Sequence, residues 1–398
     1  MAEMKQKSLR HGYTTGACAA AAARGAVLML RDQHLLDEVD IILPRGETAR
    51  FRLHGQIFTR NSADCFVVKD AGDDPDVTHG AEIHAQALLA EASGDGAVII
   101  RGGPGVGRVT KPGLAVPVGE WAINPVPRRM ITMAVNEVLS IHCPLFTGHC
   151  APVLPQVTIS IPNGQELAKK TLNARLGIVG GLSILGTTGI VKPISSKAWT
   201  DTIDASIDVA LACGGSTLVL STGRTSELAA QRLLSRVEGS AMSRAPTEKP
   251  PVFCTFCPLP AEGPPAPLPD EAYIMMGDHV GHTLRACERK GVQGVILAAQ
   301  FAKLLKIACG HEQIHVSSST LDLRTLADWL KSSPRVSHLA SFASRSTTAR
   351  EVFESSGKDP ELAALVCDRA AAFADRIAPG LRVQVFLAGY GGEMIYFR

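Results

Sequence analysis

Aromatic side chains are scarce in this chain: three tryptophans, four tyrosines and twelve phenylalanines make up 5% of its 398 residues. A platform on which unpaired bases stack needs more of them. Charge of one sign is lacking too. Forty basic residues stand against 38 acidic ones, a net +2, so no overall field draws the protein to a nucleic acid or an anionic membrane. Long apolar runs are missing as well. The most apolar stretch, Ala17 to Leu30, is too short to span a bilayer and carries Arg24 inside it. No basic segment followed by an apolar one opens the chain, so a secretory signal is not expected. These absences together describe a soluble, cytoplasmic protein with neither nucleic acid nor membrane as a partner.

Two nucleotide fingerprints are also absent. The chain has no G-x-G-x-x-G after a strand and no Gly-Lys-Ser/Thr of a P-loop. Ten cysteines are scattered along it, which in such a protein stay reduced. Cys254 and Cys257 form the one tight pair. A zinc site would need a second pair, and His142-Cys143 with His149-Cys150 lies far upstream, so no metal site is expected.

What is present is a chain long enough for two domains, 45% hydrophobic and 20% charged. Its first half mixes strand pairs and helices irregularly. An alanine-rich helix over 16–31 comes first. Two strands flanking Arg45-Gly46-Glu47 read as a hairpin, further strands follow to residue 101, a helix opens at Pro125, and a strand over 157–161 leads to a turn at Asn163-Gly164. From about residue 205 the rhythm becomes strand, loop, helix, repeated through "STLVLSTGR", "AYIMMGDHVG" and "VQGVILAAQF". The expected fold is an α+β domain over 1–204, then a Rossmann-like α/β domain over 205–398 with a mainly parallel sheet. A proline-rich insertion over 241–269 interrupts the second domain.

Four segments could carry chemistry. Thr14, Thr15 and Gly16 stand at the start of the first helix, either as caps or as the floor of an anion site. Asp70, Asp73, Asp74 and His79 lie in an aspartate-rich loop that could supply acid–base groups or simply form turns. The span from Arg101 to Arg129 is glycine-rich and holds Arg108, Lys111, Arg128 and Arg129 against one acid, Glu120. It suits a polycarboxylate or phosphate ligand, or is a solvated face. In the second half, ligands of an open parallel sheet gather at strand carboxyl ends. That places Thr222, Gly223, Arg224, Gly277 and Asp278, together with Ala299-Gln300, around a nucleoside, with Asp278 a hydroxyl acceptor.

The blocks "GYTTGACAAAAA", "KDAGDDPDVTHGAEI", "GGPGVGRVTKPGLAVPVGEWAINPVPRRMI", "KKTLNARLGIVGGLSILGTTGIVKP" and "LSTGRTSE" resemble, in order, the signature blocks of the CbiD family. The resemblance implies transfer of a methyl group from S-adenosyl-L-methionine to C1 of cobalt-precorrin-5B, giving cobalt-precorrin-6A in anaerobic cobalamin biosynthesis. It implies a corrinoid substrate whose cobalt arrives already chelated. The many substrate carboxylates suit the basic span, and the flat macrocycle suits the glycines. The family pattern Gly-His-x-Gly-Lys stands here as Ala299-Gln300-Phe301-Ala302-Lys303, and a Thr-His-Ser pattern as Ile314-His315-Val316. Two other readings stay open: a non-catalytic corrinoid binder, and a small-molecule kinase using the glycine-rich loops. A homo-oligomer, or transient contact with neighbouring pathway enzymes, is also left open.

Overall fold

The computed structural model describes residues 9–91, 98–140, 153–234 and 268–398. The cysteine and histidine pairs at 142–150, Cys254, Cys257 and nearly all of the 241–269 insertion lie outside them. The chain divides into two units, 1–196 and 197–398. It is mixed α/β, with several sheets.

The first unit is built around helix Thr15–Asp32. Its alanines give it high helix propensity, and Thr14 caps it by accepting from the Ala17 N–H at 3.2 Å. Nearly every face of this helix is buried, from Thr15 to Ala23 and again at Ala26, Val27, Met29 and Leu30. One side lies on a five-stranded sheet, another against helix Pro125–Leu139. The sheet order is His54–Phe58, Ser62–Val68, Glu82–Glu91, Val153–Ser160, Ile99–Gly102. All its pairings are antiparallel except the last. Strand alternation puts Ala63, Cys65, Val67, Ile83, Ala85, Ala87, Val157 and Ile159 on the face toward the helix. Hairpin Glu38–Ile42/Thr48–Arg52 closes the cluster with Val39, Ile41 and Phe51.

Two glycine-rich stretches interlock in this unit. Added Cβ atoms at Gly164 and Gly181 would each lie 2.2 Å from the Gly105 carbonyl oxygen. One at Gly105 would lie 1.8 Å from the oxygen of Ile161. Three backbones therefore meet where no side chain fits. These three glycines serve packing of chain on chain. The turn expected at Asn163-Gly164 falls at Pro162-Asn163, closed by the Gly164 N–H on the Ile161 carbonyl at 2.8 Å. Gly164, which sits against Gly105, then opens a short helix, Gly164–Ala168.

The second unit starts with helix Ser196–Ala212, which runs through position 204 without interruption. Its sheet has the order Tyr273–Met275, Thr217–Ser221, Gly294–Gln300, Arg382–Ala388, Met394–Phe397. The first four strands are parallel, and the last pairs antiparallel. Both faces are covered. Leu218, Leu220, Ile274, Leu297 and Val385 join the larger cluster with helices Val280–Arg289, Phe301–Ala308 and Pro360–Ile377. Val219, Ile296, Ala298 and Phe386 meet Ala229 and Ala230 of helix Arg224–Leu234 on the other face. The strand Met394–Phe397 carries no turn signature before it beyond glycines, and the sequence reading does not anticipate it.

The first helix sets a stability expectation. Ala22→Leu adds volume where relative exposure is 0%, and should cost about 1–3 kcal/mol. Thr14→Ala removes a cap and should cost about 1 kcal/mol. Urea unfolding of both variants measures this, and an unchanged midpoint for Ala22→Leu would refute the tight packing.

Candidate functional site

In the second unit the parallel strands reverse order between Thr217–Ser221 and Gly294–Gln300. The crevice at the carboxyl ends of such strands is where open α/β sheets hold ligands. Thr222 follows the first of these strands and Phe301–Ala308 follows the second. Lys303 Nζ joins them: it donates to the Thr222 carbonyl at 2.7 Å and to Asp278 Oδ1 at 3.1 Å. One ammonium thus ties three strand-end segments together, so Thr222, Asp278 and Lys303 do come together. Gly223 and Gly277 lie on the same edge, with no atom within 4 Å of where a Cβ would sit. Arg224 reaches back to the wholly buried Glu227 carboxylate at 2.7 Å.

The departures at 299–303 have a packing account. Ala299 and Phe301 are wholly buried, and the Phe301 ring stacks on Phe353 with centroids 4.4 Å apart. The strand therefore runs into its helix through a core residue, while Lys303 keeps its reach. Ile314 is buried, and its N–H donates to the Asp278 carbonyl at 3.1 Å. Tyr390, after Arg382–Ala388, lies at the same sheet end. Its hydroxyl is buried beside the Ala302 backbone, and the Arg350 guanidinium lies 4.4 Å over its ring. Sequence reasoning missed Tyr390; its one signal was a tyrosine among glycines at a strand end.

In the first unit the aspartates hold the loop. Arg10 grips Asp70 with both guanidinium nitrogens, and its N–H donates to Asp73 at 2.6 Å. Asp74 accepts from the Ile194 N–H at 2.9 Å, where Ile194 has a positive φ of 53°. Asp76 accepts from the buried Lys69 ammonium at 2.7 Å and from the Thr78 hydroxyl at 2.6 Å. His79 Nδ1 accepts from the Ala71 N–H at 3.1 Å and lies 3.8 Å from Asp70. The loop therefore gathers the segments around Arg10 and Ile194. Among the described residues no group of three or more histidine, cysteine, aspartate or glutamate side chains is placed to hold a metal ion.

The start of the first helix is closed. The Thr15 hydroxyl accepts from the Leu185 N–H at 2.9 Å, and the Gly16 N–H donates to the Leu185 carbonyl at 3.0 Å. A Cβ on Gly16 would lie 2.7 Å from Pro127. The Thr14 and Gly16 amides thus go to Gly189 and Leu185, and the Thr15 hydroxyl to Leu185, fastening the helix to the 185–189 segment. These pairings support the capping reading of the helix start. Among the basic residues, Arg108 stacks 4.0 Å over Trp121 and donates to the Gly119 carbonyl at 2.6 Å. Arg128 is half-buried and reaches the Ile100 carbonyl at 3.4 Å. Lys111 packs beside Gly177. Arg101 and Arg129 are exposed. Val179, opposite Arg108 in a two-strand pairing, is 57% exposed. Trp121, Val179 and the Arg108 guanidinium together make a flat apolar and cationic patch.

Comparison with known proteins decides the family. Residues 2–193 match the CbiD family model. A cobalt-precorrin-5B C(1)-methyltransferase of Geobacter sulfurreducens is 60% identical over 397 residues, covering 99% of this chain and 100% of that protein. The chain belongs to the CbiD family. A like-named protein of Geotalea daltonii is 56% identical, over 99% of this chain and 100% of its own length. A crystal structure described as cobalamin biosynthesis protein (cbiD) from Archaeoglobus fulgidus matches at 26% identity, 75% and 79% coverage and a TM-score of 0.36. In this CbiD chain the family model covers the aspartate loop, the glycine interlock and the basic span. Among the described residues no helix is long and apolar enough to cross a membrane.

The loop carboxylates set a pH dependence. Arg10 beside Asp70 holds that carboxyl below its ordinary value. For Asp76, burial acts upward, but Lys69 and Thr78 outweigh it and the net shift is downward. Depressed folded-state values contribute stability fully above the unfolded value of about 4, and lose it as pH falls through the lowered values. Asp76→Asn leaves the Lys69 ammonium, 1% exposed, without its counter-charge and should cost about 3 kcal/mol at pH 7. The loss should shrink as pH falls below the ordinary carboxyl value of about 4 and through the lowered one. Acid-titrated thermal melts of both proteins check it, and a pH-independent difference would contradict the pairing.

Proposed function

We propose that the protein transfers a methyl group from S-adenosyl-L-methionine to C1 of cobalt-precorrin-5B, giving cobalt-precorrin-6A. The observation that carries this is full-length identity of 60% to a protein named for that reaction. The kinase reading loses ground on the same names, and it lacks a Gly-Lys-Ser/Thr loop. A corrinoid binder without activity would have no need of a second unit with an open strand-end crevice.

Transfer forms a carbon–carbon bond at C1 as the sulfonium–methyl bond breaks, so the protein's work is positioning two ligands in line. In our reading the second unit is a Rossmann-like domain that holds the methyl donor. Its strand order has its reversal where the nucleoside would lie, over Thr222, Gly223 and Gly277. Asp278 accepts from the ribose hydroxyls, and Lys303 keeps that carboxylate turned toward the crevice through its bond at 3.1 Å. Arg224, fixed by Glu227, shapes the rim.

The corrinoid belongs to the first unit. Its carboxylates meet Arg101, Arg108, Lys111, Arg128 and Arg129, and its flat ring lies on the Trp121 and Val179 patch. Charge-assisted bonds of guanidinium to carboxylate are the strong ones available. Asp70, Asp73 and Asp74 act by holding the loop, and His79 presents Nε2–H beyond it, since its Nδ1 accepts from Ala71.

Purified protein, corrinoid and methyl donor should give a product heavier by one methyl group in mass spectrometry; absence of turnover would overturn the reading. Arg129→Ala should raise KM for the corrinoid by about tenfold, one charge-assisted bond, with kcat and melting temperature little changed. An unaltered KM in both Arg101→Ala and Arg129→Ala would leave the basic span a solvated face.

A further inference from the structure

Strand Gly294–Gln300 is buried along its whole length except at its last residue, Gln300, which is half-buried. Gln300 is also the N-cap of helix Phe301–Ala308, yet its side chain makes no capping bond. Among the described residues its amide has no hydrogen-bond partner at all. That amide carries an acceptor oxygen beside an NH2 donor.

Backbone register places the amide at the strand-end crevice. Gln300 is extended, so side-chain alternation holds to the end of the strand. Ala298, two residues earlier, packs with Ala229 and Ala230 of helix Arg224–Leu234, and Gln300 stands above it on the same face. Ser221 pairs with Ala298, so two residues further along both strands Gly223 lies level with Gln300. A Cβ on Gly223 would meet no atom within 4 Å. On the other side Gln300 pairs with Ala388, and the glycines of 389–392 follow. A Cβ on Gly392 would lie 3.7 Å from the Thr225 methyl. The amide is thus bordered by backbone and small residues, which leave its polar end uncovered. The strand that leads to Asp278 lies two strand spacings away, about 10 Å. That span suits a nucleoside with its ribose at Asp278 and its base at Gln300.

We propose that Gln300 is the residue that reads the base of the methyl donor. A 6-aminopurine presents an amino donor beside a ring-nitrogen acceptor, the complement of one amide. Gln300 Oε1 accepts from the amino group, and Nε2 donates to the ring nitrogen next to it. A purine without the amino group keeps only the second bond. The inference rests on the reading that the nucleoside lies over Thr222, Gly223 and Gly277, and it assigns the choice of base to one side chain.

Calorimetric titration of the full chain with two probes tests it. S-adenosylhomocysteine carries the 6-amino group, and its purine analogue has hydrogen there and is otherwise the same. The wild-type chain should bind the analogue about tenfold more weakly, a bidentate pair reduced to a single bond. Gln300→Leu should weaken S-adenosylhomocysteine about tenfold and the analogue by less than about threefold, so the preference collapses. Gln300→Glu keeps an acceptor for the amino group and should keep the preference of about tenfold. An undiminished preference in Gln300→Leu overturns the proposal, and so does a wild-type chain that binds both probes equally. If Gln300→Leu binds neither probe, Gln300→Glu decides, and a lost preference there overturns the proposal. If in any of these cases Asp278→Ala still weakens both probes, the nucleoside reading stands and only the base assignment falls. If Asp278→Ala changes neither affinity, or the wild-type chain binds neither probe, both fall.

Discussion

A helix buried on every side leaves little room for side chains, and the first unit depends on that constraint. Helix Thr15–Asp32 is enclosed by sheet, hairpin and a second helix, so alanine is the residue that lets all three approach. Alanine loses no side-chain entropy in a helix, which offsets the modest apolar area each one buries. Larger residues enter only in its last turns, where Val27, Met29 and Leu30 are buried, or where the enclosure opens. Arg24 leaves the core to meet Glu137, and Leu28 is only partly buried. The closeness continues outward: Gly25 lets Leu53 lie against the helix, with a Cβ only 2.6 Å from the leucine methyl. Once the helix is fixed, its threonine start fixes the 185–189 segment, and the glycine interlock follows.

The polar residues obey a different economy in each unit. In the first, carboxylates are paired with cations and backbone donors that come from distant parts of the chain. They act as struts, and the chemistry is left to the surface they brace. In the second, Lys303 is the strut and Asp278 the group it presents. The same pairing of opposite charges closes one structure and aims a functional group in the other. What distinguishes the two is the surroundings: Lys69 is wholly enclosed, whereas Lys303 stands beside two glycines with open space above them.

Much of the fold was legible because it rests on local signals. Alanine density predicted the first helix, and the strand–loop–helix rhythm predicted the parallel strands around Thr217–Ser221 and Gly294–Gln300. The juxtaposition of Thr222 and Asp278 could be expected from strand-end position alone, whereas Lys303 was singled out only by the family pattern. Other features depend on contacts between segments far apart in sequence. Nothing local says that Arg10 would reach Asp70, that Leu185 would engage the Thr15 hydroxyl and the Gly16 amide, or that Gly105, Gly164 and Gly181 would meet. The approach of Asp204 to His282 at 3.4 Å is likewise a product of tertiary packing. These two residues come from helices Ser196–Ala212 and Val280–Arg289, with another helix between them in the chain and no motif to join them.

Gly12 and Tyr13 pair with Val191 and Ile190 in a short antiparallel ladder. The first unit thus starts and finishes at one point of its surface, with Arg10 and Asp74 tying both strands to the same loop. A body whose ends meet can be joined to a neighbour through a single doorway, without rerouting any internal strand. The stretch that matches the family model, 2–193, stops almost where this ladder stops. By its geometry the described part of the first unit enters and leaves beside one ladder, so a single junction joins it to the rest of the chain.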